Sequence, residues 1–465
     1  MISVALKSSH GETAEGFTIR ALVKISFIQG DLYSTKEIRA RYLSYYQTKQ
    51  CQEPGCSSVA LINSRVGGGT AGGAVAARLS EVEGWRVLLL EAGGPPPPES
   101  VVPGLNVVLM QSDADWSYFT VPQKHSLKGY VGKSCHFPLG RALGGSSTIN
   151  WMMYVRGNRR DFDNWEAMGN PGWSYDKVLK YFKKSEDYRG VRRPDTAFYR
   201  GVGGPASVEN KRWGTPLMHA ILKAGRQLGY DVVDPNGPEQ IGFSIPDMTT
   251  RNGRRGSSAE SYVRPAAFRR SNLHVVMNAL VTQLFNKYYK SLIGLQGFTV
   301  GPMLTRPKSR GTVRLRSPDP KDPPLVDPNY LSHPDDVAIL VRGIKFALTV
   351  GNTPALREEL GARFHSQPLP GCEREIPGSD PYWACYVRHM AKTTWHAVGS
   401  CKMAPPSDPF GVVDHTLKVR GVSGLRVVDG SIMPLVTSGN TNAPCIMIGE
   451  KGADMIKEDW GVLPG

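Results

Sequence analysis

The sequence predicts an α/β fold built on a Rossmann-like dinucleotide-binding unit. Three observations predict it. Gly67, Gly69 and Gly72 open a small-residue helix, the apolar strand Val87–Leu90 follows, and Glu91 ends that strand 19 residues beyond the third glycine. This is the spacing of a βαβ unit in which glycines allow a tight turn and close approach of a pyrophosphate, while the acid takes a ribose hydroxyl. The helix N-terminus offers free N–H groups to the anion. The plainer alternative is a glycine-rich turn in an ordinary α/β sheet.

A chain of 465 residues is long enough for two or three domains and a sizeable core. Its 51 glycines and 35 prolines mark it as loop-rich. The net charge of +15 is spread over short clusters such as Arg159–Arg160 and Lys183–Lys184, without one basic patch interleaved with aromatics, which argues against nucleic acid as a partner. Seven cysteines show no metal-ligand spacing, so no metal is expected, and Cys372 and Cys385 either pair or stay as buried thiols. No apolar run is long enough to span a membrane. The first residues lack a signal-peptide pattern, Lys24 interrupting the best apolar block.

Taken in order, residues 1–58 read as a polar leader without a usable motif. Val59–Ile62 starts like a buried first strand, which Asn63, Ser64 and Arg65 then interrupt where apolar residues are expected. Pro95–Pro98 is a stiff spacer. Between Phe137 and Trp165, Gly140, Gly144 and Gly145 precede Ser146 and Ser147, a loop able to meet a ligand through backbone donors. A helix-like run then spaces Asn150, Tyr154 and Asn158 by four. Helices are predicted over Tyr175–Asp187, with Val178, Leu179 and Phe182 on one face, and over Leu217–Leu228, ended by Gly229. Asn272–Phe285 reads as a half-buried hairpin turning at Asn278–Ala279. Leu425–Val428 is a strand and Ile446–Lys457 a final helix, with Pro444 near its start.

A histidine of near-neutral pKa is suited to proton transfer, and a second polar group can hold a reacting oxygen. On residues alone, His396 following Trp395 reads as a structural hydrogen bonder, and His136 and His389 as packing residues.

GRALGGSSTIN (residues 140–150) followed by YVRGN resembles the first signature of the glucose-methanol-choline (GMC) oxidoreductase family. The run DNWEAMGNPGWSYDKVLKYFKKSED is similar to that family's animal FAD (quinone) glucose dehydrogenase branch. The glycine unit, DWSYFTVPQ and TWHAVGSCKM carry the same resemblance. It implies FAD as cofactor and an α/β, FAD-binding Rossmann-like domain assembled from residues 59–165, 205–285 and 395–465. Residues 166–204 and 290–394 would then form an α+β substrate part with an antiparallel sheet. The resemblance also implies cofactor contacts from Gly67, Gly69, Thr70, Ala71, Gly72, Glu91, Arg141, Gly144, Gly145, Ser147, Asn150, Asp429, Gly430, Asn442 and Pro444, and from the backbone of Val281 at adenine. His396 matches the catalytic base, and Asn440, 44 residues later, matches the group that holds the substrate oxygen. The implied reaction takes an alcohol or sugar CH–OH, passes hydride to flavin N5, and hands electrons to a quinone-like acceptor or oxygen.

The resemblance breaks near Asn286. Family members continue into segments resembling SAGAINSPQLL and GVGENLQDH, whereas here NKYYKSLIGLQGFTV runs straight into GPMLTRPKSRGTV. The omission implies an incomplete substrate domain with unpaired strand edges. The second reading is therefore a catalytically incompetent relative acting as a binding protein. A nicotinamide dehydrogenase fits the glycines and Glu91, but not GRALGGSSTIN or WHAVGS.

Overall fold

Five strands form the organising sheet: β1 (Val4–Leu6), β2 (Ile62–Val66), β3 (Arg86–Leu90), β4 (Leu273–Val276) and β5 (Leu425–Val427), in the order β4-β3-β2-β1-β5. They belong to a computed structural model that describes residues 4–6, 62–191, 193–211, 214–276, 298, 300–319, 322–364 and 369–462. Strands β4, β3 and β2 run parallel, in register from Ile62↔Arg86 to Val66↔Leu90 and from Leu273↔Val87 to Val276↔Leu90. Parallel neighbours need a crossover, and α1 (Thr70–Leu79) supplies it between β2 and β3. Its run of small residues lets it lie flat: Ala71, Gly72, Gly73, Ala74 and Ala76 are all buried.

Two expectations are corrected here. The polar triplet does not interrupt the first strand, because Asn63, Ser64 and Arg65 pair with Val87, Leu88 and Leu89. Ladder hydrogen bonds come from the backbone, so side-chain polarity alone does not end a strand; the strand lies at Ile62–Val66, and Val59 lies outside the described residues. The leader is not featureless: β1 enters the sheet antiparallel to both neighbours, pairing Val4 with Val427, Leu6 with Leu425, and Ala5 with Arg65. Of the predicted hairpin, the first strand forms as Leu273–Val276, paired parallel with β3, and residues 277–285 lie outside the described residues.

A third correction concerns residues 150–158, which are not helical. A single turn, Ser146–Ile149, gives way to the short strand Met153–Tyr154, and Met152 takes a positive φ of 61°. Asn158 is instead the N-cap of α2 (Arg159–Ala167), in a capping box where its own N–H donates to Asp161 Oδ2 at 2.7 Å.

The predicted amphipathic helices form as α3 (Tyr175–Ser185), burying Val178, Leu179 and Phe182, and α4 (Pro216–Gln227), after which Gly229 takes a φ of +80°. The C-terminal helices are α5 (Pro334–Gly351), α6 (Asp380–Met390) and α7 (Asn442–Asp459). Helix α7 starts four residues before the expected Ile446, which puts Asn442 and Pro444 in its first turn. It lies directly on α1: a Cβ on Gly449 would sit 2.7 Å from the Ala71 carbonyl oxygen. The main apolar core joins β3, α1, α3 and α7, and Trp173, Val178 and Phe182 belong to it. Residues 166–204, which the resemblance assigns to the substrate part, thus contribute to the core of the sheet domain.

Beside that core lies a buried ionic cluster. Glu186 and Arg156 are both fully buried and pair at 2.7 Å, while Glu186 also accepts from Arg200 at 3.2 Å and from the Gly201 N–H at 2.6 Å. Arg200 reaches on to Asp234 and Asp247, at 2.5 and 2.7 Å.

In the second part, Thr312–Arg314 pairs antiparallel with Leu325–Asp327, and among the described residues this ladder has two strands only. Val313 on it and Leu315 just beyond it are 59% and 75% exposed, apolar side chains left uncovered by the described residues. Cys372 and Cys385 are disulfide-bonded, which settles the alternative left by their spacing. Among the described residues, no helix is long and apolar enough to cross a membrane.

Candidate active site

The site is built where two glycine loops meet. Gly67 leaves β2 with φ +99°, a conformation open to glycine, and its N–H donates to the Leu90 carbonyl at 2.7 Å. The next N–H, of Gly68, donates to Glu91 Oε2 at 2.7 Å, and that of Gly93 to Oε1 at 2.8 Å. Glu91 is buried, and burial pushes its carboxyl pKa up against the opposing pull of these N–H groups.

The loop of residues 140–145 crosses the first loop with little room between them. The Gly144 N–H donates to the Gly68 carbonyl at 2.7 Å, and a Cβ on Gly145 would lie 2.6 Å from Gly69 Cα. A Cβ on Gly93 would lie 2.0 Å from the Arg141 carbonyl. Replacing Gly93 by alanine is therefore expected to part the loops and cost about 2–3 kcal/mol. Thermal unfolding checks this against Gly104→Ala, whose Cβ meets open space and which should leave the midpoint unchanged.

Two helix N-termini converge on this cradle. Neither α1 nor α7 has an acidic residue in its first turn or a side-chain cap, and Thr70 Oγ1 on α1 donates to Asn442 Oδ1 on α7 at 3.4 Å. Thr70, Ala71, Gly72, Asn442 and Pro444 therefore share one locus with positive dipole ends. Gly430, after β5, packs there as well: a Cβ on it would meet Cys445 Sγ at 3.1 Å, while Asp429 accepts from the Ser431 N–H at 2.8 Å. Arg141 is 2% exposed with its guanidinium over Trp116, and its Nε and Nη2 have no protein partner. Orphaned buried donors, a cradle that any Cβ would fill, and two uncapped helix starts all suit a dinucleotide with an anionic pyrophosphate.

Two predicted contacts are engaged otherwise. Ser147 Oγ donates to the Gly144 carbonyl at 2.6 Å and accepts from the Ser258 N–H at 2.9 Å. Asn150 Oδ1 accepts from the Met152 N–H at 3.0 Å and from Arg255 Nη1 at 2.9 Å. Both residues hold the 255–258 turn against the glycine loops. Val281 lies outside the described residues.

Sequence reasoning missed the other half of this lock. Ser258 Oγ reaches the Gly69 carbonyl at 3.2 Å and the Gly144 carbonyl at 3.3 Å. The Arg255 guanidinium donates to the carbonyls of Ser100 and Asn150, both at 2.7 Å, and burial alone pushes its pKa down to about 10. Neither residue stands in a motif that announces a contact more than 100 positions away.

His396 and Asn440 come together beside the start of α7. Asn440 Nδ2 donates to His396 Nε2 at 3.3 Å, and His396 Nδ1 lies 3.3 Å from Thr394 Oγ1. This pattern leaves the Nε2 lone pair facing Asn440. Burial lowers the His396 pKa from its ordinary 6.5, which favours the neutral ring. The preceding Trp395 holds φ at +64°, an uncommon conformation for a bulky residue, and its indole N–H donates to the His136 carbonyl at 3.2 Å. His136 itself is structural, as expected, lying 2.9 Å from Asp115 Oδ2. Asp161 anchors the segment carrying Asn440, accepting from the Ser438 N–H at 2.7 Å and from its hydroxyl at 2.8 Å. Nothing local in the sequence marks its reach to Ser438. A cleft of about 550 Å³ lined by Pro216, His219, Lys223 and Glu359 shares no lining residue with this constellation.

Comparison with known proteins adds a second line of observation. Two family profiles, both described as GMC oxidoreductase, match residues 63–303 and 307–449. Glucose dehydrogenase [FAD, quinone] of Drosophila melanogaster is 34% identical over 85% of this chain and 86% of its own length. That alignment runs over 543 positions, yet 85% of this 465-residue chain is only about 395 residues, so about 148 positions of the relative face no residue here. Oxygen-dependent choline dehydrogenase of Brucella anthropi is 29% identical over 84% of this chain and 94% of its own. Among solved structures, pyridoxine 4-oxidase from Mesorbium loti superposes with a TM-score of 0.71 at 25% identity, covering 85% of this chain and 98% of its own.

Proposed function

Since the chain belongs to the GMC oxidoreductase family, we propose that it oxidises the CH–OH group of an alcohol or sugar, with FAD as cofactor and His396 as the base. The observation that carries this reading is the placement of His396 Nε2 at 3.3 Å from Asn440 Nδ2, two residues ahead of the helix that meets the glycine loops. When bound, FAD would supply the hydride acceptor and a route for the electron pair to a quinone-like acceptor or oxygen, the two acceptors named among the relatives.

The chain's own residues divide the remaining work. Gly67 and Gly69 let the backbone approach the cofactor, and the N–H groups at Thr70, Ala71 and Gly72 face its pyrophosphate. Glu91, held by Gly68 and Gly93, takes a ribose hydroxyl. Arg141, Gly144, Gly145, Asp429, Gly430, Asn442 and Pro444 complete the cradle. Ser147 and Asn150 act through the loop lock. A substrate hydroxyl set between His396 and Asn440 donates its proton to Nε2 and accepts from Nδ2, so negative charge growing on oxygen is met by a fixed donor.

The decisive experiment is a visible spectrum of the purified protein, followed by anaerobic addition of alcohols. Stoichiometric flavin that bleaches with an alcohol supports the reading. Folded, colourless protein that takes up no FAD overturns it. The second reading, a relative that binds without turnover, draws on the exposed Val313–Leu315 flank and the positions missing from the alignment; flavin that binds but does not bleach with any alcohol would favour it.

The pH dependence follows from the burial of His396. Its active form is the neutral ring, and burial lowers its pKa below 6.5, so protonation sets in later as pH falls. Bleaching rates measured over about pH 5 to 8 are expected to fall on the acid side, with the midpoint of that limb below 6.5.

A further inference from the structure

Away from the glycine cradle, His389 stands over the Cys372–Cys385 disulfide. Its Nδ1 lies 3.6 Å from each of the two sulfurs and 2.9 Å from the Cys385 carbonyl oxygen, to which it can only donate. The ring is fixed from behind: Gly371 has a φ of +94°, and a Cβ on it would lie 2.8 Å from His389 Nε2. Cys385 and His389 occupy successive turns of α6, four residues apart on one face, while Cys372 approaches from the loop opposite. The two sulfurs differ in access, because Cys372 is 1% exposed whereas Cys385 is half-buried.

We propose that Cys372–Cys385 is a thiol–disulfide exchange site for a small dithiol reductant, with His389 as the group that receives the leaving sulfur. The incoming thiolate attacks the accessible Sγ of Cys385, forming a mixed disulfide as the bond to Cys372 breaks. Cys372 leaves as a thiolate in a buried position, where an unpaired anion is costly. The Nδ1–H of His389, already within 3.6 Å, turns from the Cys385 carbonyl to that sulfur. A charge-assisted N–H···S⁻ contact stabilises the leaving group and speeds bond cleavage. The second thiol of the reductant then displaces Cys385, closing its own disulfide. Two electrons and two protons pass from the dithiol to the two cysteines. A hydrogen-bond donor equidistant from both sulfurs serves the return reaction equally, since either cysteine can be the one that leaves.

The full-length protein, folded and non-denatured, is treated with graded dithiothreitol, quenched with iodoacetamide and mapped by peptide mass. Expected is alkylation of Cys385 and Cys372 at reductant levels that leave the circular dichroism spectrum unchanged. In His389→Ala the rate constant of reduction falls about tenfold, the loss of one charge-assisted hydrogen bond. His389→Asn, which keeps an N–H near the Nδ1 position, recovers most of it. A pair reduced only as the protein unfolds overturns the proposal. Equal rates in the parent and His389→Ala overturn it too, as does a His389→Asn rate no faster than that of His389→Ala. The readout is independent of flavin and of turnover.

Discussion

Replacing His396 with alanine is expected to lower the rate at which an alcohol bleaches the bound flavin by about 10²–10⁴-fold, the usual contribution of a positioned general base. Flavin content should stay at the parental level, because His396 contacts Asn440 and Thr394 and makes no hydrogen bond to the glycine loops. The contrast with Asn440→Ala is informative. Removing that N–H takes away one fixed donor to the substrate oxygen, a loss of about 10²-fold. The two losses should not multiply in the double variant, since base and donor act on the same hydroxyl. Stopped-flow flavin reduction under anaerobic conditions reads all three variants directly. A His396→Ala enzyme that reduces flavin at the parental rate would falsify its assignment as base.

The largest effect on stability is expected at Glu186. Glu186→Gln keeps the shape but removes the charge, leaving the fully buried Arg156 without its carboxylate partner and Arg200 with one partner fewer. Breaking a buried pair from one side costs about 3–5 kcal/mol, because the remaining charge stays desolvated. Urea titration should show the loss as a lower midpoint at unchanged slope. Asp176→Asn is the matched control. Its pair with Arg159 also closes at 2.7 Å, but the two side chains are 68% and 50% exposed, and water screens them, so its midpoint should match the parent's. Equal distances with unequal consequences would show that burial, not geometry, sets the value of an ion pair here.

What was legible in the sequence was what one contiguous segment encodes. Gly67, Gly69, Gly72 and Glu91 stand in a single βαβ unit, so spacing alone identifies them. His396 and Asn440 were named by the residues flanking them, and each sits in an unbroken local motif. Helices α3 and α4 followed from periodicity because each buries one face. The misses have a common cause. Ser258, Arg255 and Asp161 act on residues more than 100 positions away, and no local pattern marks the partner. Ile62–Val66 was misread because strand formation there rests on its ladder to β3, not on its own apolar content. The run from Asn150 to Asn158 was misread as helical because a spacing of four fits a helix by coincidence, while Met152 at φ +61° breaks it. The predicted disulfide was one of two options until backbone proximity decided between them.

The pairing of Val4 with Val427 sets the order of events during synthesis. Strands β2 and β3 are separated by one helix and can pair as soon as both have emerged, as can β1 with β2, but the outer side of β1 stays uncovered until residue 427 has been made. At about 5–20 residues added per second, the delay is on the order of 20–90 s. Through that interval the outer flank of β1 carries unpaired N–H and C=O groups, the template on which strands of other chains can add. Contacts of such large sequence separation are also the slowest to form once available. The yield of folded protein therefore depends less on how stable the finished sheet is than on whether a nascent-chain chaperone covers that flank until the C-terminal strand arrives.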